Sequence, residues 1–318
     1  MPTGRIMVTG ASGFVGRALC AELSRRGHSV RGALRQNAIA PALLKEVGSV
    51  VVGTINAATD WKAALAGCDA VVHLAARVHV MDDRANDPLA EFREVNAEGT
   101  LNLARQAAQA GVRRFVFVSS IKVNGEGRAA AYLETDAPAP WGPYAISKWE
   151  AERGLKRIAQ ETGLEVVILR PPLVYGPGVK ANFLRLMQAV QSGWPLPLGA
   201  IHNRRSLLYL GNFVDAIRLC VVHPDVAGQT FLLDDGGPVS TPDLIRALAR
   251  AMGRPARLLA VPVGVLELAG TLLGKRAVVG RIAGSLYVDS SLIQSRLEWA
   301  PPYSMETGLA ATVAALST

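Results

Sequence analysis

Arg5-Ile6-Met7-Val8-Thr9-Gly10-Ala11-Ser12-Gly13-Phe14-Val15-Gly16 runs from an apolar, β-branched stretch into three evenly spaced glycines and then into helical periodicity. Strand, glycine turn and helix in that order make the opening βα unit of a dinucleotide-binding fold. Gly10 permits a tight turn, Gly13 a close approach of backbone to a pyrophosphate, and Gly16 close packing of helix on sheet. The anion is expected at the helix N-terminus, where unpaired N–H groups and the helix dipole favour negative charge. Ser12, Phe14 and Val15 lie within the same turn and join the three glycines as candidate cofactor contacts. A P-loop is excluded, because Val15 stands at the second glycine position and no Gly-Lys follows.

Outward from this unit, short apolar runs alternate with helical patterns, the mark of a parallel sheet with crossover helices. Strands are expected at Arg5–Thr9, Ser29–Ala33, Val50–Gly53, Ala70–Leu74, Phe115–Ser119 and Val166–Arg170, covered on both faces because they are nearly all apolar. Helices are expected over Gly13–Arg26, Leu89–Ala110 and Tyr144–Thr162, with Pro88 and Pro143 just ahead of two of them, where a missing N–H costs nothing. Beyond Pro171 the pattern loosens into Gly- and Pro-rich segments around short helices, with a late strand at Thr230–Leu233 and a hydroxyl-capped helix start at Ser240. The fold class is therefore α/β: a Rossmann-type, doubly wound parallel sheet (1–170) with a smaller C-terminal substrate lobe (171–318) interleaved with it. There is no internal repeat.

The 318 residues carry 34 Lys or Arg against 26 Asp or Glu, a formal charge of +8, and half of them are hydrophobic. Such a charge suits an anionic partner. Aromatics are only 6% of the chain and the basic residues come singly or in pairs, so a nucleic-acid role is disfavoured. Three widely spaced cysteines, Cys20, Cys68 and Cys220, disfavour a disulfide framework or a cysteine-based zinc site and fit a reducing cytoplasm. No metal site is expected, and the N-terminus is not that of a signal peptide. The longest apolar run, Leu258 to Gly274, is too short to span a bilayer and reads as a buried or half-buried helix. Surface membrane association is the lesser reading.

Two further features bear on chemistry. No acidic residue lies between Ser24 and Lys45 to hold an adenosine ribose. The second strand instead runs into Arg35, whose guanidinium favours a 2′-phosphate and so NADP(H), with NAD(H) as the alternative. Arg35 as a solvated loop charge is the competing reading. Downstream, Tyr144 and Lys148 are four apart on one helix face, with Ser119-Ser120 at a strand end before them. A phenol is a poor base at neutral pH, and a neighbouring ammonium favours phenolate. A serine hydroxyl beside it would orient a substrate hydroxyl or carbonyl.

Thr9-Gly10-x-x-Gly13-x-x-Gly16, Val72-His73-Leu74-Ala75-Ala76, Asn96-x-x-Gly99-Thr100, Ser119-Ser120-x-x-Val123-x-Gly125, Tyr144-x-x-x-Lys148, Arg170-Pro171-x-x-Val174-Tyr175-Gly176-Pro177 and Leu297-Glu298-Trp299-x-Pro301 span nearly the whole chain. In combination they resemble the extended short-chain dehydrogenase/reductase family of nucleotide-sugar epimerases, dehydratases and reductases. The resemblance implies Tyr144 as catalytic acid/base, Lys148 as its tuning partner, and Ser120 as the hydroxyl partner. It implies Leu74, Ala75, Ala76 and Pro171 along the cofactor. It further implies a UDP-sugar substrate met by Ser120, Lys122, Asn182, Phe183, Arg205 and Arg281, with His79 able to reach the sugar. A homodimer through the Leu89–Ala110 and Tyr144–Thr162 helices is also implied.

Ile121-Lys122 after Ser120 lack the Asp-Glu of the family's 4,6-dehydratases, and no cysteine stands where an epimerising one would. What remains is hydride transfer at C4. The segments Ala76–Met81, Ser120–Gly125 and Gly176–Phe183 are similar to surface-polysaccharide (lipopolysaccharide) enzymes. Leu34-Arg35 and Thr54 depart from the aspartates of UDP-galactose 4-epimerases. The sequence therefore favours a 4-ketoreductase of a UDP-2-acetamido-2,6-dideoxy-4-hexulose, with a UDP-hexose or UDP-N-acetylhexosamine 4-epimerase retaining NAD as the alternative. A non-catalytic NADP(H)-sensing relative is disfavoured because both Tyr144 and Lys148 are present.

Overall fold

The structure is a computed structural model, described over residues 4–35, 47–78 and 87–316. Seven parallel strands form the main sheet in the order β3-β2-β1-β4-β5-β6-β9. They are β1 (Arg5–Thr9), β2 (Val30–Leu34), β3 (Gly48–Val51), β4 (Cys68–His73), β5 (Arg114–Val118), β6 (Glu165–Arg170) and β9 (Thr230–Leu232). The central strands are apolar and buried, as a sheet covered on both faces requires. Edge strand β3 is mostly exposed, which corrects the expectation that every strand is covered. A separate two-stranded parallel sheet, β7 (Leu173–Tyr175) with β8 (Leu207–Tyr209), was not foreseen; three residues each give too short a pattern to read.

One apolar layer sets α1 (Phe14–Arg25), α7 (Leu210–Val222) and α11 (Ser291–Leu297) against the sheet through Leu19, Leu23, Phe213, Ile217, Ile293 and Trp299. The other buries Trp61, Leu103, Phe115, Phe117 and Leu155 beneath α2 (Lys62–Leu65), α4 (Gly99–Gln109) and α5 (Gly142–Thr162). A third core joins α6 (Ala181–Ser192), α8 (Thr241–Ala251) and α12 (Met305–Ala314) to β7 and β8. Helix α7 packs on the main sheet and β9 joins its edge, so residues after 171 also build it. Ser240 caps α8, accepting from the Asp243 amide at 3.2 Å.

Two expectations change. The continuous helix over Leu89–Ala110 is α3 (Pro88–Arg93), a π-turn at Glu94–Glu98, and then α4. A π-turn admits an extra residue and turns a side chain off the helical face, here Asn96. The run Leu258–Gly274 is more exposed than expected: Pro262 precedes α9 (Val263–Leu272), whose Leu268 and Leu272 face outward while Leu266 is half-buried, and α10 (Arg276–Ala283) follows.

Candidate functional site

Strand order reverses between β1 and β4, and the chain leaving both strands meets at their C-terminal ends, the place where doubly wound sheets bind ligands. Gly10 has φ of +66°, and a Cβ there would stand 3.0 Å from the Ala75 amide nitrogen. At Gly16 a Cβ would come within 2.1 Å of the Gly10 carbonyl oxygen, so only glycine allows α1 this close. Gly13 is the exposed N-cap of α1, with no side-chain cap and no acidic residue in the first turn. The free amides are thus left for an anion, and the turn fits a dinucleotide pyrophosphate on its own geometry. Arg35 lies exposed just past β2, while Leu74, Ala75 and Ala76 line the exit from β4.

Side chains that the motif reading quoted without a role hold this exit in place. Thr9 Oγ1 accepts from the amides of Leu74 and Ala75, each at 3.2 Å, and contacts His73 Nδ1 at 2.7 Å. The other ring nitrogen of His73 meets Thr100 Oγ1 at 2.9 Å. Burial, with Lys148 nearby, lowers the His73 pKa to about 3, so the ring is neutral. Asn96, turned inward by the π-turn, bonds both the amide and the carbonyl of Arg77 and reaches Ser147 Oγ at 3.1 Å. The signal for Asn96 was a buried-type amide inside an otherwise helical pattern, which a regular helix has no reason to keep.

Ser120 ends the extended segment after β5, capping a short 3₁₀ turn, and hydrogen-bonds the Tyr144 phenol near the start of α5. The 3.6-residue period sets Lys148 one turn on. Its ammonium donates to the Val118 carbonyl at 2.8 Å and lies 4.4 Å from the centre of the Phe117 ring. Ser120, Tyr144 and Lys148 therefore gather at the C-terminal edge of β5. Burial lowers Lys148 to about 7, opposed by the Glu152 charge. Burial also pushes the Tyr144 phenol up to about 12, with the Ser120 bond acting against it. The expected lowering of the phenol by its lysine is not seen: desolvation raises it and the Ser120 bond alone acts against that. Behind them Arg170 forms a buried pair with Glu152, 2.5 Å at its shortest, and donates to Asn124 at 2.9 Å. Pro171, next along, is buried and accepts from the Ile121 amide through its carbonyl.

The lobe-side candidates are more scattered. Asn182 is exposed at the start of α6, after Ala181 with φ of +54°, a strained value for alanine of the kind found at ligand sites. Phe183 is buried and stacked on Tyr175 at 5.2 Å, so its ring is core and not a free ligand contact. The Arg205 guanidinium donates to the carbonyls of Arg281 and Gly284 at 2.7 and 3.0 Å, and burial lowers its pKa. Arg281 itself is exposed and bonds within α10. Lys122 is paired with Glu126 at 2.9 Å instead of standing free. Arg204 lies over the Tyr287 ring. His79 falls outside the described residues.

Residues 6–233 match the profile described as NAD dependent epimerase/dehydratase family. A protein of Vibrio cholerae described as UDP-glucose 4-epimerase is 46% identical over 98% of this chain and 94% of its own length. A 3-beta-hydroxysteroid dehydrogenase of Mycolicibacterium neoaurum is 31% identical over 79% of this chain and 71% of its own. The solved structure of MoeE5 in complex with UDP-glucuronic acid and NAD superimposes with a TM-score of 0.77 at 26% identity, covering 99% of both chains.

Proposed function

The chain is an enzyme of the NAD dependent epimerase/dehydratase family, and from that premise we propose that it inverts C4 of a UDP-hexose or UDP-N-acetylhexosamine. The observation that carries this reading is the convergence of Ser120, Tyr144 and Lys148 at the C-terminal edge of β5, on the same sheet edge as the glycine turn after β1. The 46% identity to a protein described as UDP-glucose 4-epimerase moves the epimerase ahead of the ketoreductase that the sequence favoured.

In this reading Gly10, Ser12, Gly13, Phe14, Val15 and Gly16 hold the pyrophosphate, with Leu74, Ala75, Ala76 and Pro171 along the dinucleotide. Bound nicotinamide supplies the hydride acceptor and donor, and in its oxidised form a positive charge. Tyr144 Oη exchanges the C4 hydroxyl proton, Ser120 Oγ orients that oxygen, and Lys148 contributes charge that favours phenolate. A phenol that burial holds near 12 stays protonated at neutral pH. Its use as a base requires positive charge close by. On the lobe side Asn182 and Arg205 would meet the UDP diphosphate, for the arginine a charge-assisted contact. The family homodimer through α3, α4 and α5 belongs to the same reading and is checked by light scattering.

The 4-ketoreductase is the second reading, and Arg35 is the observation that favours it. An exposed guanidinium in place of an acid at the end of β2 suits NADP(H) and an exchanging cofactor. One experiment separates the two. Purified protein receives UDP-glucose or UDP-N-acetylglucosamine alone, and separately a 4-keto-6-deoxy UDP-sugar with NADPH or NADH. Inversion at C4 without net cofactor change supports the epimerase. Stoichiometric oxidation of NADPH supports the ketoreductase, and failure of both defeats the C4 assignment.

A further inference from the structure

Helix α9 is apolar on both faces and turns one of them to solvent. Val265, Leu268, Ala269 and Leu272 follow at helical spacing and all are exposed, Leu268 by 64% and Leu272 by 79%, with Leu273 beside them at 71%. Gly270, on the opposite face, is the buried residue of the helix, and a Cβ there would stand 2.7 Å from Val279 Cγ2. The contact with α10 therefore uses the inner face and leaves the leucines uncovered among the described residues. Leu259 and Val278 extend the patch. Trp194, 76% exposed, stands two residues before Leu196, whose backbone bonds to Arg257 and Leu259.

The charge around this patch is one-sided. Residues 250–285 hold Arg250, Arg254, Arg257, Lys275, Arg276 and Arg281 against Glu267 alone, a net of +5 out of the chain's +8. All six basic residues are exposed. A two-fold pairing of this surface with a second copy would set each cluster against its like, which is repulsive. An anionic bilayer is complementary to it: apolar side chains enter the acyl boundary, cations meet the headgroups, and an indole suits the interface.

We propose that α9 and the turn into α10 form a peripheral docking surface for an anionic phospholipid membrane. At 10 residues α9 is about 15 Å long, half of what a span needs. No helix among the described residues is long and apolar enough to cross a bilayer, so the attachment is to one leaflet's surface. Arg205 donates to the carbonyl of Arg281, and Asn203 to those of Ile282 and Gly284, so the docking element is tied to the segment 203–205. The lobe that the proposed function assigns to the sugar diphosphate would then sit beside the membrane. The docking proposal itself stands without that assignment.

The test is flotation of the full chain with vesicles of phosphatidylcholine alone and of phosphatidylcholine with phosphatidylglycerol. Binding is expected to the mixed vesicles at low salt, to fall with added salt, and to be weak on the neutral ones. Leu268→Glu with Leu272→Glu is expected to lower partitioning on the order of a hundredfold. Lys275→Gln with Arg276→Gln is expected to lower it by about fivefold per charge. Neither pair should change the melting temperature or nicotinamide cofactor binding, because these side chains are exposed and distant in sequence from the glycine turn. Failure of the unmodified chain to bind mixed vesicles overturns the proposal. So does equal binding by the glutamate variant, or light scattering that shows the leucines instead hold two copies together.

Discussion

The two sides of the candidate site hold their candidate residues differently: Lys148 stands near buried polar groups, whereas Phe183 sits in an aromatic cluster. On the sheet side, polar groups are buried and locked to one another: His73 between Thr9 and Thr100, Asn96 on Arg77 and Ser147, Glu152 on Arg170. On the lobe side an aromatic cluster, Tyr175 against Phe183 and Tyr209, and Tyr209 against the exposed Tyr303, stands beside a buried polar network of its own, Asn203 on Thr241 and Asp234 between Ser206 and Ser290. Its arginines are held by backbone carbonyls or by a ring face. Buried hydrogen-bonded networks fix position, whereas stacks tolerate repacking. The groups packed behind Lys148 are thus fixed in position, as a site that holds reacting atoms requires.

Substitutions on the two sides sharpen that contrast. Tyr144→Phe removes the proton carrier and should lower turnover by on the order of a thousandfold while leaving cofactor binding intact, as steady-state rates and a binding titration will show. Retained turnover would break the assignment of chemistry to this side. Glu152→Gln leaves Arg170 buried without its counter-charge and should cost about 3–5 kcal/mol in denaturant unfolding. Gly16→Ala forces α1 away from the turn and should cost about 1–3 kcal/mol, accompanied by weaker dinucleotide binding.

The acid limb of stability gives a fourth comparison. His73 is held near 3, below its ordinary 6.5, so between those values the unfolded chain binds a proton that the folded chain refuses. Stability should fall as pH drops from about 6.5 towards 3, and His73→Gln should flatten that slope in melting curves. The smallest effect belongs to the turn just after Ser120. Lys122→Ala breaks only an exposed pair with Glu126 and should change stability by less than about 1 kcal/mol. A large rise in KM from it would return Lys122 to the substrate site.

The glycine turn was legible because its function lies in the backbone: spacing alone sets where glycines allow tight turns and close approach. Tyr144 and Lys148 were legible because helical period fixes which residues share a face. Phe183 and Lys122 were not, since a side chain's neighbours depend on elements far away in sequence. Phe183 points into a core made with α8, and Lys122 finds Glu126. Asn96 needed the π-turn, which arises from packing and not from propensity.

By itself, then, the sequence determined the α/β class, the dinucleotide turn and the tyrosine–lysine pair, all written in local spacing. Only the tertiary structure decided that burial raises the Tyr144 phenol while depressing Lys148, that Arg205 is held by the carbonyls of Arg281 and Gly284, and that Leu268 and Leu272 of α9 face outward. Desolvation and exposure depend on what the rest of the chain brings alongside, and no local pattern carries that information.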